Sequence, residues 1–536
     1  MTADRPRLLL FSHICSPVHF TGAEKLLIAF AKELQRFFTC VLVVPNEGAI
    51  AAEARSRGME VRILSIPLSV AMYVAMPHLG DELRTLRSSQ AWDSLIELLQ
   101  SERPGYVWSN TCVHPLPAMA AKALGIPVIW ALMETISAGP NRDEAAGVID
   151  AHSERIVGIS YTVLSPFPQE VLAKAAVLPP FIEREALLES SWPYNRHIQR
   201  RSNGWGDHHL VVGYIASTIY PNKGLKEYLQ AVLPLAARDA RIRLLIAGTP
   251  TDDAYVGECR EYIRKTGLAD RTAWVSFTPQ IQQVYPAMDV VVVPSLVAEG
   301  FGMAALEGMA FGKPVVSFAS GGLSEILEAT GNADFLVQPG DIAGLTGAVS
   351  RLLTNDSLRE EVGRRNAQAA TEQFGVEVFR RRLESFLSAL PAAEDPLPEL
   401  ARGSGPTIYR IENGRRRPFP SMNVLLGLGY RAEDAVQLPD DRLSLVPLGQ
   451  PMALPAAGLQ RGSRRRVNRR RRRRSMRAGA RRPKRSIRGG KRAGSVRLAK
   501  RIQRTRRAQR ARRSGRTGTT ARIARTGRRS NARKKR

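Results

Sequence analysis

Residues 289–314 read Asp289-Val-Val-Val-Val293-Pro-Ser-Leu-Val-Ala-Glu299-Gly-Phe-Gly302-Met-Ala-Ala-Leu-Glu307-Gly-Met-Ala-Phe-Gly312-Lys-Pro314. The four valines are apolar on both faces, which suits a parallel strand covered by helices on either side. In an open parallel sheet, the loop leaving such a strand is where a ligand sits. That loop carries Glu299 and Gly300-Phe301-Gly302, and the spacing then predicts a short helix over 303–311, stopped by Gly312 with Pro314 beyond it. The helix is apolar or small all round except at Glu307. It therefore reads as a buried helix whose one carboxylate needs a partner or must take up a proton. The Gly-Phe-Gly segment turns backbone N–H groups, at a helix N-terminus, toward whatever occupies the crevice. A carboxylate in the loop, another in the helix and amides between them suit a ligand carrying both hydroxyls and phosphates.

The spacing of Glu299 and Glu307, with Gly-Phe-Gly after the first, Val-Val-Val-Pro-Ser upstream and Gly-Lys-Pro-Val-Val downstream, resembles the signature of family four of the retaining nucleotide-sugar glycosyltransferases. The resemblance spans about residues 7–390 and implies the GT-B fold, two facing Rossmann-like domains with ligand in the cleft between them. It implies that Glu307 accepts hydrogen bonds from ribose hydroxyls, a suitable use for an ionised carboxylate. Glu299 would contact the donor sugar, helped by the amides of Phe301, Gly302 and Met303. The implied reaction is transfer of a sugar, with retention, from a nucleotide-activated donor to a glycan or lipid-linked acceptor hydroxyl in envelope glycan or glycolipid synthesis. The donor's own phosphate would take the acceptor's proton, and no cofactor is needed beyond the nucleotide-sugar itself.

The charge is unevenly spread. Residues 461–536 hold 36 of the 79 Lys and Arg and no Asp or Glu, leaving 43 basic against 49 acidic residues in 1–460. The net charge of +30 therefore belongs entirely to the tail, and the body stands at −6. The tail is Arg, Lys, Ser, Gly and Ala without an aromatic residue, a composition that cannot bury enough apolar surface to fold alone. Disorder is expected there, with anionic polymer, membrane surface or nucleic acid as partners held by counterion release, weakening steeply with salt. Cys15, Cys40, Cys112 and Cys259 show no metal-ligand spacing and read as buried thiols of a reducing compartment. The apolar stretch 8–11 is too short for a signal peptide, and no run approaches the roughly 20 residues of a membrane span. A cytoplasmic location is expected, with the inner face of the cell membrane left open.

An α/β architecture with two doubly wound parallel sheets is the expected fold class. Strand and helix alternate through residues 1–185, with strands at 7–13, 40–45, 61–64, 106–109, 128–132, 155–160 and 177–178. Residues 186–207 turn polar and read as a linker. Alternation resumes over 208–392, with strands at 210–215, 243–247, 273–277, 290–293, 315–318 and 335–337, a helix over 223–238 and a closing helix pair capped by Ser357 and Glu360. Residues 396–452 form a small module in which Asn413-Gly414 predicts a two-residue hairpin. It reads as a structural add-on or as a binding module.

The leaving diphosphate needs positive charge, and no metal constellation is evident. Asp252-Asp253 and Asp440-Asp441 read as structural. Lys223, in the turn Ser217-Thr218-Ile219-Tyr220-Pro221-Asn222-Lys223-Gly224, matches the family's Lys-Gly and can do without metal what a divalent ion does elsewhere. The competing reading is a solvated lysine in the first turn of a helix. Two positions where relatives carry Arg are Thr218 and Asn222 here. Glu299 and Lys223 are thus the catalytic candidates, with Glu307, Phe301, Gly302, Met303, Thr218 and Gly22 on the donor side. Gly22 belongs to Thr21-Gly22-Ala23-Glu24, similar to the family's phosphate-facing turn after the first strand. His13, Asn110 and Glu134 end strands on the acceptor side, although His13 is equally explained as structural. A rival function is a catalytically weak transferase body serving as platform for a polyanion-binding tail.

Overall fold

The apolar runs of the first half build a seven-stranded parallel sheet in a computed structural model that describes residues 5–17, 22–74, 76–391, 397–412, 415–444 and 446–454. Its strands are β1 (Arg7–Phe11), β2 (Thr39–Val44), β3 (Glu60–Ile63), β4 (Tyr106–Asn110), β5 (Val128–Leu132), β6 (Arg155–Gly158) and β7 (Ala175–Val177), in the order β3-β2-β1-β4-β5-β6-β7. β4 and β5 are buried at every residue, as strands covered on both faces must be. The order reverses between β1 and β4, which opens a crevice at their C-terminal ends.

The second sheet holds β8 (Leu210–Ile219), β9 (Ile242–Pro250), β10 (Thr272–Val275), β11 (Val290–Val293), β12 (Val315–Phe318) and β13 (Leu336–Val337), ordered β10-β9-β8-β11-β12-β13 and again parallel. Its switch point lies between β8 and β11. β8 and β9 run past their expected ends because pairing resumes after an irregularity between Ile215 and Thr218, where Thr218 faces Thr249.

The last long helices return to the first domain. In helix Val376–Ser388, Phe379 packs 4.9 Å from Phe30 and 4.4 Å from Phe181. Arg380 holds the buried Glu33 with two hydrogen bonds of 2.7 and 3.0 Å. Burial alone would raise the Glu33 carboxyl, but the hydrogen bonds and charge of Arg380 outweigh it and leave it lowered.

Several local expectations are corrected. The segment 186–207, read as a linker, carries helix Trp192–Arg201, because Arg196 and Arg200 reach Asp289 at the foot of β11 with separations of 2.9 and 2.6 Å. The helix expected over 223–238 starts at Leu225, after a 3-10 turn Pro221–Lys223. Ser357 and Glu360 do not form the capping box: Asn355 is the cap and accepts from Leu358 N at 2.9 Å, so the helix begins earlier. Asp252 accepts from Tyr255 N as a helix cap, and Asp440 accepts from Ser404, the structural roles expected of those pairs.

In the small module β14 (Leu400–Arg402), β15 (Ile408–Glu412), β16 (Arg415–Pro418) and β17 (Val436–Gln437) form a sheet ordered β16-β15-β14-β17. Glu412 pairs with Arg415 in the register a two-residue hairpin requires, though Asn413 and Gly414 themselves lie outside the described residues. The tail 461–536 and Thr21 also lie outside them. The four cysteines are buried and unpaired. Among the described residues no helix is long and apolar enough to cross a membrane.

Candidate functional site

Both switch points contribute to one cleft. After β11, Glu299 meets Lys223 from the turn after β8, Nζ to Oε1 at 2.6 Å, and the same carboxylate oxygen accepts from the Ser295 hydroxyl at 2.6 Å. Lys223 is therefore not a solvated helix lysine. It ends the 3-10 turn, and Gly224 follows at φ 72°, so close to β11's exit that an added Cβ would lie 1.8 Å from Pro294 O. Only glycine fits, and that contact fixes where the lysine stem begins. The Lys223 ammonium also lies 5.9 Å from the Tyr220 ring centroid. Thr218, expected in this turn, is a strand residue of β8 instead.

Glu299 is held by its own backbone, which accepts from Gly322 N at 2.8 Å and pairs with the 320–321 segment. Gly302, at φ 109°, then starts helix Met303–Ala310. Ala305 N and Leu306 N donate to Gly302 O at 2.9 and 3.3 Å, while the N–H groups of Met303 and Ala304, at the start of the helix, have no acceptor within it and give that end a partial positive charge. Phe301 contributes only its backbone there, because its ring is buried 5.6 Å from Phe374.

Glu307 resolves the choice posed by its apolar helix: it has partners. Its Oε1 accepts from Lys25 Nζ at 2.8 Å and its Oε2 from the Tyr285 hydroxyl at 3.0 Å. Tyr285 in turn stacks on Phe311, centroids 5.2 Å apart. Lys25 belongs to helix Gly22–Leu34 of the first domain, so this ion pair spans the cleft. Gly22 opens that helix with nothing within 4 Å of an added Cβ.

On the facing side, β1, β4 and β5 end in His13, Asn110 and Glu134 together with His114, which the sequence reading passed over. Asn110 is fully buried, and neither polar atom of its amide finds a protein partner; the same holds for both ring nitrogens of His114 and for Nδ1 of His13. Glu134 accepts from Cys112 N at 2.8 Å, while burial raises its carboxyl pKa. Burial pushes His13 down to about 4 and His114 down to about 3, with His13 adding to the latter. Both imidazoles are neutral at pH 7.

These lowered values carry a stability consequence. An unfolded chain takes up the His114 proton near pH 6.5, whereas the folded one resists it until about pH 3. Stability from this group is thus complete above about pH 6.5 and falls as the pH drops toward the folded value. Acidification from pH 7.5 to 5 should cost about 2 kcal/mol from His114 alone. Urea unfolding at the two pH values measures it, and His114→Phe, which keeps the ring and cannot titrate, should remove that share. An unchanged pH dependence in the variant would show that His114 is not the group responsible.

The two sides touch directly. An added Cβ at Gly300 would lie 2.5 Å from Met133 O at the end of β5, and the Ser160 hydroxyl donates to Gly300 O at 2.6 Å. Glu325 accepts from the N–H groups of Tyr161 and Thr162 at 2.9 and 2.6 Å. The Glu299 loop is therefore seated against the end of β5 and the segment after β6 in the first domain. Among the described residues no three His, Cys, Asp or Glu side chains gather to hold a metal ion.

Comparison with known proteins finds relatives of the second domain and of the fold. Residues 209–355 match the family described as Glycosyl transferases group 1. The glycosyl transferase match covers β8 to β13 and hence Lys223, Glu299 and Glu307. The chain is 33% identical over 238 residues to a D-inositol 3-phosphate glycosyltransferase of Actinosynnema mirum, covering 42% of this chain and 53% of that protein. It is 31% identical over 163 residues to an MMP alpha-(1->4)-mannosyltransferase of Mycolicibacterium hassiacum, covering 30% and 38%. It thus spans about half or less of the length of these curated relatives. Anabaena HepE, solved in complex with UDP and glucose, superposes with a TM-score of 0.59 at 18% identity over 72% of this chain and 100% of that one. That likeness shows the fold, two Rossmann-like domains of the GT-B type. Lys25, Tyr285, Ser295 and His114 are residues of this cleft that the sequence pattern does not single out. Lys25 directly follows the quoted turn and Ser295 lies within the quoted strand exit, so both were in view, but neither carries a spacing that marks it.

Proposed function

We propose that the protein transfers a sugar, with retention and without a metal ion, from a nucleotide-activated donor to an acceptor hydroxyl. The observation that carries this reading is the contact of Lys223 with Glu299 beside the open first turn of helix Met303–Ala310, with Glu307 one turn further on. A preorganised cation and a helix N-terminus on neighbouring segments would together meet the charge that gathers on a leaving diphosphate. Glu299, on the loop whose Gly300 lies against Met133 O of the first domain, would meet the donor sugar. Glu307, beyond the amides, meets the ribose.

The acceptor is a glycan or a lipid-linked hydroxyl in envelope glycan or glycolipid synthesis. Supporting a lipid-linked one, Leu68, Val70, Tyr73, Val74 and Met76 are exposed, Val70 at 57% and Met76 at 51%. This apolar segment joins the acceptor side through Ser69 N to Val113 O and Ser137 N to Tyr73 O, both 2.9 Å. The protein would then work at the inner face of a membrane, with the Arg-rich tail 461–536 holding an anionic surface or polymer.

The two glutamates test the reading because their substitutions fail differently. Glu307→Gln keeps the shape but weakens charge-assisted hydrogen bonds by about 1–2 kcal/mol, so affinity for the bare nucleoside diphosphate falls. Glu299→Gln leaves nucleotide affinity nearly intact and depresses transfer, since its partner sugar is absent from the bare nucleotide. Calorimetric titration with UDP, GDP and ADP beside a transfer assay separates them. Loss of nucleotide binding in Glu299→Gln alone would reverse the assignment.

A further inference from the structure

Among the described residues Lys25 is the only first-domain cation paired with either cleft carboxylate, and its position raises a problem of charge. Lys223 and Glu299 neutralise one another, as do Lys25 and Glu307. A diphosphate entering beside them brings additional negative charge, met by the partial charge of one helix terminus and one lysine already shared with a carboxylate. The Lys25–Glu307 pair is built asymmetrically. The Glu307 side chain is 10% exposed and retains the Tyr285 hydroxyl on its other oxygen, whereas the Lys25 side chain is 50% exposed. The carboxylate is anchored and the ammonium is not.

Distance allows the ammonium a second position. Glu307 lies four residues beyond Met303, about 6 Å along the helix axis. The Met303 and Ala304 amides at the start of that helix are therefore within the swing of a lysine stem of similar length. We propose that Lys25 has two stations: it holds Glu307 when the cleft is empty, and it moves onto the diphosphate when ribose hydroxyls take Glu307 Oε1. Lys25 then supplies from the first domain a phosphate cation that neither Thr218 nor Asn222 provides from the second. Donor binding exchanges an ion pair for two charge-assisted contacts and ties both domains to one ligand. This inference rests on the nucleotide-sugar reading of the cleft.

Calorimetric titration of the full chain and of Lys25→Ala, with UDP, GDP and ADP and with the matching nucleosides, separates the alternatives. The expected result is a diphosphate affinity about tenfold weaker in Lys25→Ala, since each 1.4 kcal/mol is a factor of ten, and a nucleoside affinity unchanged or raised because Glu307 has lost its competitor. Lys25→Arg should recover most of the diphosphate affinity. Diphosphate binding as tight as the parent's, or tighter, would overturn the proposal and leave Lys25 as a competitor alone. An equal loss for diphosphate and nucleoside would overturn it as well, since that is what a disturbed helix produces. A parent chain that binds none of the diphosphates would overturn the donor reading itself, an outcome distinct from the other two.

Discussion

Lys223→Ala is expected to lower sugar transfer on the order of tenfold to a thousandfold, the range for removing one preorganised electrostatic group. The lysine sits in a 3-10 turn whose following glycine cannot move away from Pro294, and its ammonium is fixed by Glu299 and the Tyr220 ring. A cation held in place before the reaction needs no reorganisation when charge develops on the leaving diphosphate. The loss should fall on turnover more than on donor binding, because the charge on the leaving group is largest in the transition state. It also strips Glu299 of its cationic partner, leaving the Ser295 hydroxyl on that carboxylate. Lys223→Arg should recover part of the rate. Steady-state kinetics on any donor that the parent turns over checks this, and unchanged turnover in Lys223→Ala would place the leaving-group charge elsewhere.

Asp289→Ala is expected to destabilise the fold by about 3–5 kcal/mol, the cost of leaving a buried charge uncompensated. Asp289 accepts from Arg196 at 2.9 Å, Arg200 at 2.6 Å and Val211 N at 2.7 Å. Arg200 is 1% exposed and spends its other donors on Ala287 O and His209 O, both 3.0 Å away. Lys313, pushed down by burial to about 8, faces the same carboxylate. Burial alone would raise the Asp289 carboxyl, but the two arginines outweigh it and leave it lowered. Its contribution is therefore present above the unfolded pKa near 3.9 and lost as the pH falls through the folded value. Urea unfolding at pH 7 measures the loss, with the exposed Asp81→Ala as a comparison expected within about 0.5 kcal/mol of the parent. If Asp289→Ala unfolded with the parent, the helix Trp192–Arg201 would not depend on this cluster.

What could be read directly was what local pattern determines. Strands buried on both faces must be apolar throughout, so β4, β5 and β11 were visible as runs, and their alternation with helices set the two parallel sheets. Glu299 and Glu307 belong to a single loop and helix, so their spacing described the site before folding was considered. Lys223 and its glycine are local in the same sense. Relations between distant segments were left to the tertiary structure. Lys25 and Glu307 are 282 residues apart, and Arg200 and Asp289 are 89 apart. No periodicity reports a partner across a cleft. The polar composition of 186–207 reads as a linker because the partners of Arg196 and Arg200, the Asp289 carboxylate and the carbonyls of Pro286, Ala287 and His209, lie outside the helix that carries them. β8 outran its expected end because its last residues pair with β9 rather than with their own neighbours. Sequence alone thus determined which residue types stand in the cleft. Tertiary structure decided which of them face each other, because an ion pair is a matter of distance in space, and chain position constrains that distance only within a turn or two of helix.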